Sequence, residues 1–221
     1  MPELTLFGTP KKKKKFKKKT FKKKHNEKKT IKQYKSCGNK DMTCQQKLVL
    51  ELLIDCDFPK NISRKNVMRT GQNSYEGFVL GKINLIAHLW KKTRKKVNGK
   101  YVTTIKKQQQ SNKTKNPKFR RLYRETRKMM KMHDPKFKYT TIQYNKDQQT
   151  AKHKDGRNVG VSYIIGLGKY TDGEVIVYDI NNKNPKHHDI HNKFLSFNGS
   201  DLYHETAKFE GNRYTMVFFN V

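Results

Sequence analysis

The 221-residue chain carries 51 Lys and Arg against 18 Asp and Glu, a formal net charge of +33, with 33% hydrophobic residues. That apolar share supplies one core of ordinary size, not two, and no apolar run approaches the length of a bilayer crossing. The opening MPELTLFGTPKKKKK lacks the apolar stretch of a secretory signal, so no membrane association is expected and the expected location is intracellular, nuclear or otherwise at nucleic acid.

The charge is unevenly spread. Residues 1–137 hold 40 Lys and Arg against 9 Asp and Glu, whereas residues 138–221 hold 11 against 9. The segment KKKKKFKKKTFKKK has too little apolar surface to fold, so residues 1–41 are expected to form a disordered lysine-rich tail. A polyanion is its natural partner, nucleic acid and DNA above all. The excess of Lys over Arg suits attraction to phosphates better than reading of bases. A compositionally biased genome would give the same tail a merely solubilising role. Cys37, Cys44 and Cys56 are an odd number without CxxC spacing and are read as reduced.

Past the tail, residues 42–137 are expected to be a basic support region of helices and strands. Thr43-Cys44-Gln45-Gln46 has the form of a capping box, and the apolar spacing of KLVLELLIDC predicts a helix over 44–55 that stops before Pro59. YEGFVLGKINLIAHLW reads as strand and core, KKTRKKVNGKYVTT as a basic hairpin turning at Asn98-Gly99, and KKQQQSNKTKN as a loop. Asn116 and Pro117 make an N-cap and first-turn pair for a helix whose Phe119, Leu122, Tyr123, Thr126 and Met130 share one face. Arg120, Arg121, Arg124 and Lys128 lie elsewhere on that helix and are expected to form a solvated charged face.

From Lys138 to Val221 the texture changes to short β-rich runs separated by Asp172-Gly173, Asn198-Gly199 and Gly211-Asn212. The fold class expected is α+β, a jelly roll or double-stranded β-helix over 138–221 with the N-terminal helices packed on it, so that 42–221 forms one folded domain.

Within this β region, His153-Lys154-Asp155 places two ligand types two residues apart, where an extended segment points both the same way and Lys154 away. His204, expected on a strand set antiparallel by the Asn198-Gly199 turn, supplies a third ligand. Two imidazoles and a carboxylate leave three positions of an octahedral Fe(II) open, unlike a closed zinc site. Taken alone, HKD reads more readily as exposed polarity than as a metal clasp. Arg213, expected at the start of the last strand, shares a face with Thr215 and needs an anion, either a ligand carboxylate or Glu210 or Asp201. The cluster His187, His188, Asp189 and His191 is expected in a loop, without a metal role. Asn158, Ser162 and Tyr163 are candidates for a pocket wall.

The order HKD, YHET and GNRYT resembles the H-x-D…H…R-x-S/T pattern of the Fe(II)- and 2-oxoglutarate-dependent dioxygenases, over residues 138–221. The surrounding runs are most similar to the TET/JBP branch of nucleic-acid base oxygenases. The resemblance implies that His153, Asp155 and His204 bind iron and that Arg213, helped by Thr215, holds the distal carboxylate of 2-oxoglutarate, with Tyr144 or Asn145 also touching it. The implied reaction consumes O2, decarboxylates 2-oxoglutarate to succinate and hydroxylates an unreactive C–H bond, such as the methyl group of thymine or 5-methylcytosine. A base reaches such a site only outside the duplex. Phe219 stands where the AlkB branch has a second arginine, which disfavours dealkylation, and the cysteine-rich region of animal TET relatives has no counterpart here. A protein side-chain hydroxylase, an idle fold that only binds nucleic acid, and a cupin-like metal protein are the alternative readings.

Overall fold

Thr43 starts the first helix as its sequence anticipates. Its Oγ1 accepts from the Gln46 backbone N–H at 3.2 Å, and the Gln46 side chain accepts from the Thr43 N–H at 2.7 Å. The helix α1 (Cys44–Ile54) buries Val49 and Leu53. The computed structural model describes residues 42–62, 67–85, 91–98 and 100–221, all within one compact unit; the expected disordered tail of residues 1–41 lies outside the described residues. Cys44 is disulfide-bonded, which corrects the reading of all three cysteines as reduced, and Cys56 is free.

The short β1 (Lys60–Asn61) leads to β2 (Tyr75–Asn84). The basic hairpin forms as β3 (Lys91–Val97) and β4 (Lys100–Lys106), with Asn98 in the left-handed region at φ 49°. The stretch read as a loop is ordered instead. It contains β5 (Gln108–Gln110), which pairs with the end of β2, and α2 (Asn112–Lys115), because Ser111 donates to the Val79 carbonyl and Thr114 accepts from the Gly81 N–H. Such tertiary hydrogen bonds leave no trace in local periodicity. The helix α3 (Pro117–His133) is capped by Asn116, whose side chain accepts from the Lys118 N–H at 3.0 Å. Its buried face holds Phe119, Leu122, Thr126 and Met130 as expected, and also Met129 and Glu125, while Tyr123 is half-buried.

The remainder is β6 (Thr141–Lys146), β7 (Val159–Asp172), β8 (Val175–Val177), β9 (Lys186–His188), β10 (Phe194–Phe197), β11 (His204–Thr206) and β12 (Phe209–Asn220). Seven strands form a large antiparallel sheet in the order β1-β2-β6-β12-β7-β10, with β5 on β2; β11-β8-β9 form a smaller one. The protein is thus mostly β with few helices. Because β2 pairs with β6, Phe78 opposite Tyr144, the large sheet runs straight across the expected junction at 137 and 138.

Strand β6 is buried on both faces, and its alternation assigns them. Ile142 and Tyr144 join Phe78, Leu167, Met216 and Phe218 in the main core, beneath α1 and α3. The Phe78 ring stacks on Tyr144 at 4.9 Å and meets Phe119 at 4.7 Å. Thr141, Gln143 and Asn145 face the other way. On that side a smaller cluster of Val175, Val177 and Ile190 packs with Ile164, Leu195 and Phe197, joining the two sheets. Asp172 and Gly173, both at positive φ (59° and 74°), turn the chain from the large sheet into the small one.

Candidate metal centre

The segment before β7 runs antiparallel to β11. Thr206 donates its N–H to the Thr150 carbonyl, and His153 and His204 exchange both backbone hydrogen bonds at 3.0 Å. A pair bonded in this way shows its side chains on one face, and the two imidazole centroids lie 4.3 Å apart. Asp155, two residues on, falls on the same side as the alternation predicts, its N–H held by the Gly199 carbonyl at 2.8 Å. Lys154 turns outward over the Tyr203 ring at 4.7 Å. The turn after β10 does not lay β11 against β10 as expected; it carries the chain to the smaller sheet, where His204 pairs with Val177.

One ligand atom from each of His153, Asp155 and His204 lies within 4.8 Å of the others, the one group of three such side chains that could hold a metal among the described residues. The Asp155 oxygens stand 3.7 Å from His153 Nε2 and 3.8 Å from His204 Nε2. Each histidine fixes its ring through the other nitrogen: Nδ1 of His153 lies 2.7 Å from the Ala151 carbonyl and Nδ1 of His204 lies 3.1 Å from that of Leu202. A carbonyl only accepts, so both Nδ1 atoms carry hydrogen and Nε2 of each ring, facing Asp155, is the nitrogen available to a metal. Asn158 donates to Asp155 Oδ2 at 3.2 Å and steadies the carboxylate. Two imidazoles and a carboxylate in this arrangement can hold a divalent ion and leave coordination positions open.

A cavity between the sheets joins this cluster to Arg213, Thr215, Asn145, Gln148 and Ser162. Arg213 lies within β12 and does not begin it as expected, because the strand reaches back to Phe209 to pair with the end of β7. Its side chain is 2% exposed, and Nη2 donates to the Gly173 carbonyl at 2.9 Å. Gly173 suits this contact, since a Cβ there would lie 3.1 Å from Arg213 Nε and 2.9 Å from Phe209. Among the described residues the guanidinium meets no carboxylate: Glu210 is exposed and Asp201 is engaged by Asn198 and Ser200. Burial lowers the Arg213 pKa, opposed by Tyr170 and Asp147.

Asn145 and Thr215 are brought together, Asn145 Nδ2 donating to Thr215 Oγ1 at 3.1 Å. Tyr144 is not. Its side chain lies on the opposite face of β6 in the main core, which corrects the expectation that it touches a cosubstrate; one step along a strand reverses the face. Tyr163 also points away, its hydroxyl donating to Asp134 at 3.1 Å. The sequence reading missed Gln148, buried on the cavity wall with neither amide atom hydrogen-bonded, as is the Ser162 hydroxyl. Gln148 sits in a polar stretch with no periodicity to single it out. Of the second histidine cluster, Lys186–His188 is strand rather than loop, paired with Val175–Val177, while His191 Nε2 bonds the Gly168 carbonyl and Asp189 pairs with Lys193.

Among the described residues no helix is long and apolar enough to cross a membrane. No family model and no curated protein matches the chain. Among solved structures it is similar to a 2OG-Fe(II) oxygenase family oxidoreductase from Burkholderia pseudomallei, at TM-score 0.45 and 15% identity over 79% of this chain and 76% of that one. It is also similar to NgTET1 in complex with 5mC DNA, at 0.32 and 19% over 37% and 34% of the two chains. A prolyl 4-hydroxylase of Phytophthora capsici gives 0.33 and 15% over 48% and 43%. In its H-x-D…H order, and in the convergence of those three side chains, the protein resembles the Fe(II)- and 2-oxoglutarate-dependent oxygenases.

Proposed function

We propose that the protein is an Fe(II)- and 2-oxoglutarate-dependent dioxygenase that hydroxylates a nucleic-acid base, the methyl group of thymine or 5-methylcytosine being the model substrate. The observation that carries this reading is one cavity lined both by three convergent metal ligands and by a buried arginine whose guanidinium meets no carboxylate. A buried cation demands an anion, and the unbonded Arg213 Nε and Ser162 Oγ offer donors to one. Iron held by His153, Asp155 and His204 would supply oxygen activation and abstraction of hydrogen from carbon, with 2-oxoglutarate as the electron source.

The protein's own part is orientation. Gln143 donates to Asn145 Oδ1 at 2.9 Å and Asn145 donates to Thr215 Oγ1, so the Thr215 hydroxyl is left to donate its proton into the cavity beside Arg213. Together they would bind the distal carboxylate. The two sheets read as a double-stranded β-helix enclosing this cavity, and residues 42–221 as one folded domain. Asp155 and Val217 also line an open cleft bearing Lys82, Lys154 and Arg157 over an apolar floor that includes Val79 and Phe219. That combination suits a phosphorylated, ring-bearing substrate and supports a nucleic-acid base over a protein side chain.

The test is succinate formation from 2-oxoglutarate with Fe(II) and O2, with and without oligonucleotides containing thymine or 5-methylcytosine, alongside mass analysis of the bases. Turnover stimulated by the oligonucleotide and lost in His153→Ala is expected. Stimulation by proteins alone would move the substrate to a side chain, and no succinate from folded, iron-loaded protein would remove the oxygenase reading.

A further inference from the structure

The charged side of α3 is more than a solvated face. Arg120, Arg124, Arg127 and Lys131 follow one another at intervals of four, three and four residues, all exposed, so at 1.5 Å per residue they form a row about 16 Å long. The row is one wall of a groove whose other wall is Pro135, Phe137 and Tyr139. Phe137 and Tyr139 stack at 5.7 Å, and the Arg127 guanidinium lies over the Tyr123 ring at 5.4 Å.

The nearby carboxylates are committed. Glu125 is 4% exposed and held by Arg124 at 2.7 Å and Lys128 at 3.1 Å. Asp134 accepts from the backbone of Lys136 and Phe137 and from the Tyr163 hydroxyl. Arg120, Arg127 and Lys131 make no salt bridge among the described residues. A regular row of four cations, three of them without a salt bridge, facing partly exposed rings matches a polymer with evenly spaced anions and flat groups between them.

We propose that this groove binds a single strand of nucleic acid, phosphates along the α3 row and bases against the aromatic wall. It is separate from the metal centre. Leu122 and Met130 of α3 pack in the core with Ile142 and Tyr144, on the side of the large sheet opposite Asn145 and Thr215, so the groove holds a strand where no oxidation takes place. Its occupancy does not require the oxygenase chemistry.

The experiment uses the full chain and a labelled oligothymidylate, with affinity measured by fluorescence anisotropy over a range of salt. The variant Arg120→Ala/Arg127→Ala/Lys131→Ala is compared with Lys169→Ala/Lys183→Ala/Lys208→Ala, which removes the same charge from exposed sites elsewhere. Three lost phosphate contacts should flatten the dependence of log affinity on log salt by about 2, since each contributes about 0.7 for a single strand. The control should change little, and Arg120→Lys/Arg127→Lys should keep the wild-type slope. Thermal unfolding checks that each variant is folded. Equal losses in both triple variants, or wild-type binding by the groove variant, would overturn the proposal. So would loss of binding to a polyglutamate peptide with oligonucleotide binding intact, which would assign the groove to an acidic peptide.

Discussion

The two faces of the large sheet are built from the same strands and could hardly differ more. Toward the helices, Ile142, Tyr144, Ile165, Leu167, Met216 and Phe218 make a continuous apolar layer. Toward the smaller sheet, Gln143, Asn145, Ser162, Arg213 and Thr215 are just as buried yet polar. Burial of polar groups costs free energy unless they are bonded, and here several atoms have no partner in the protein. One face is therefore arranged for stability, while the other leaves buried polar atoms unbonded, as the proposed ligand site would require.

The sharpest way to break this comparison is to remove a ligand of the metal. His153→Ala is expected to abolish succinate formation and to weaken Fe(II) or Co(II) binding by at least about 100-fold, the upper end of what loss of a mere supporting group costs. Titration of the metal at unchanged thermal midpoint is the check. Next in size, Phe78→Ala, in the middle of the apolar face, should destabilise the fold by about 3–5 kcal/mol in denaturant unfolding. Protein that remains folded should still bind metal.

Arg213→Met sharpens the contrast further. Replacing a buried cation that no carboxylate neutralises with an apolar side chain is expected to leave stability unchanged or raised, while the KM for 2-oxoglutarate rises about 10- to 100-fold through loss of charge-assisted hydrogen bonds. A fall in stability with an unchanged KM would make Arg213 structural. The smallest effect concerns Glu125, buried beneath the charged side of α3. Burial raises its pKa, but hydrogen bonds from Arg124, Gln45 and Lys128 outweigh it and leave the folded value lowered. Stability from this group is thus present above the ordinary glutamate range and lost as pH falls through the lowered folded value. Unfolding followed between neutral and acid pH should show a shallower acid loss in Glu125→Gln.

Much of the site was legible because it is encoded locally. HKD needs only the period of two of an extended chain to align His153 with Asp155, and Arg213-x-Thr215 needs the same. Helix α1 announced itself through its capping box and α3 through Asn116-Pro117. By contrast, β5 and β9 were read as loops because each is three residues long and exists only by pairing with another strand. Tyr144 and Asn145 were offered together as one candidate contact, since no local signal says which face of β6 meets the cavity.

The sequence by itself determined the ligand types, their order and their parity, because backbone geometry relates residues two apart without reference to the rest of the chain. The tertiary structure decided what lies between them. It brought His204 against His153 by strand pairing across 50 intervening positions, buried the Arg213 guanidinium with no carboxylate bonded to it among the described residues, and added Gln148 to the cavity wall. It also set residues 134–139 beside the row of cations on α3, making a groove where only a charged face was legible from the sequence. Such outcomes depend on which surfaces pack together, and packing is settled by the whole chain at once.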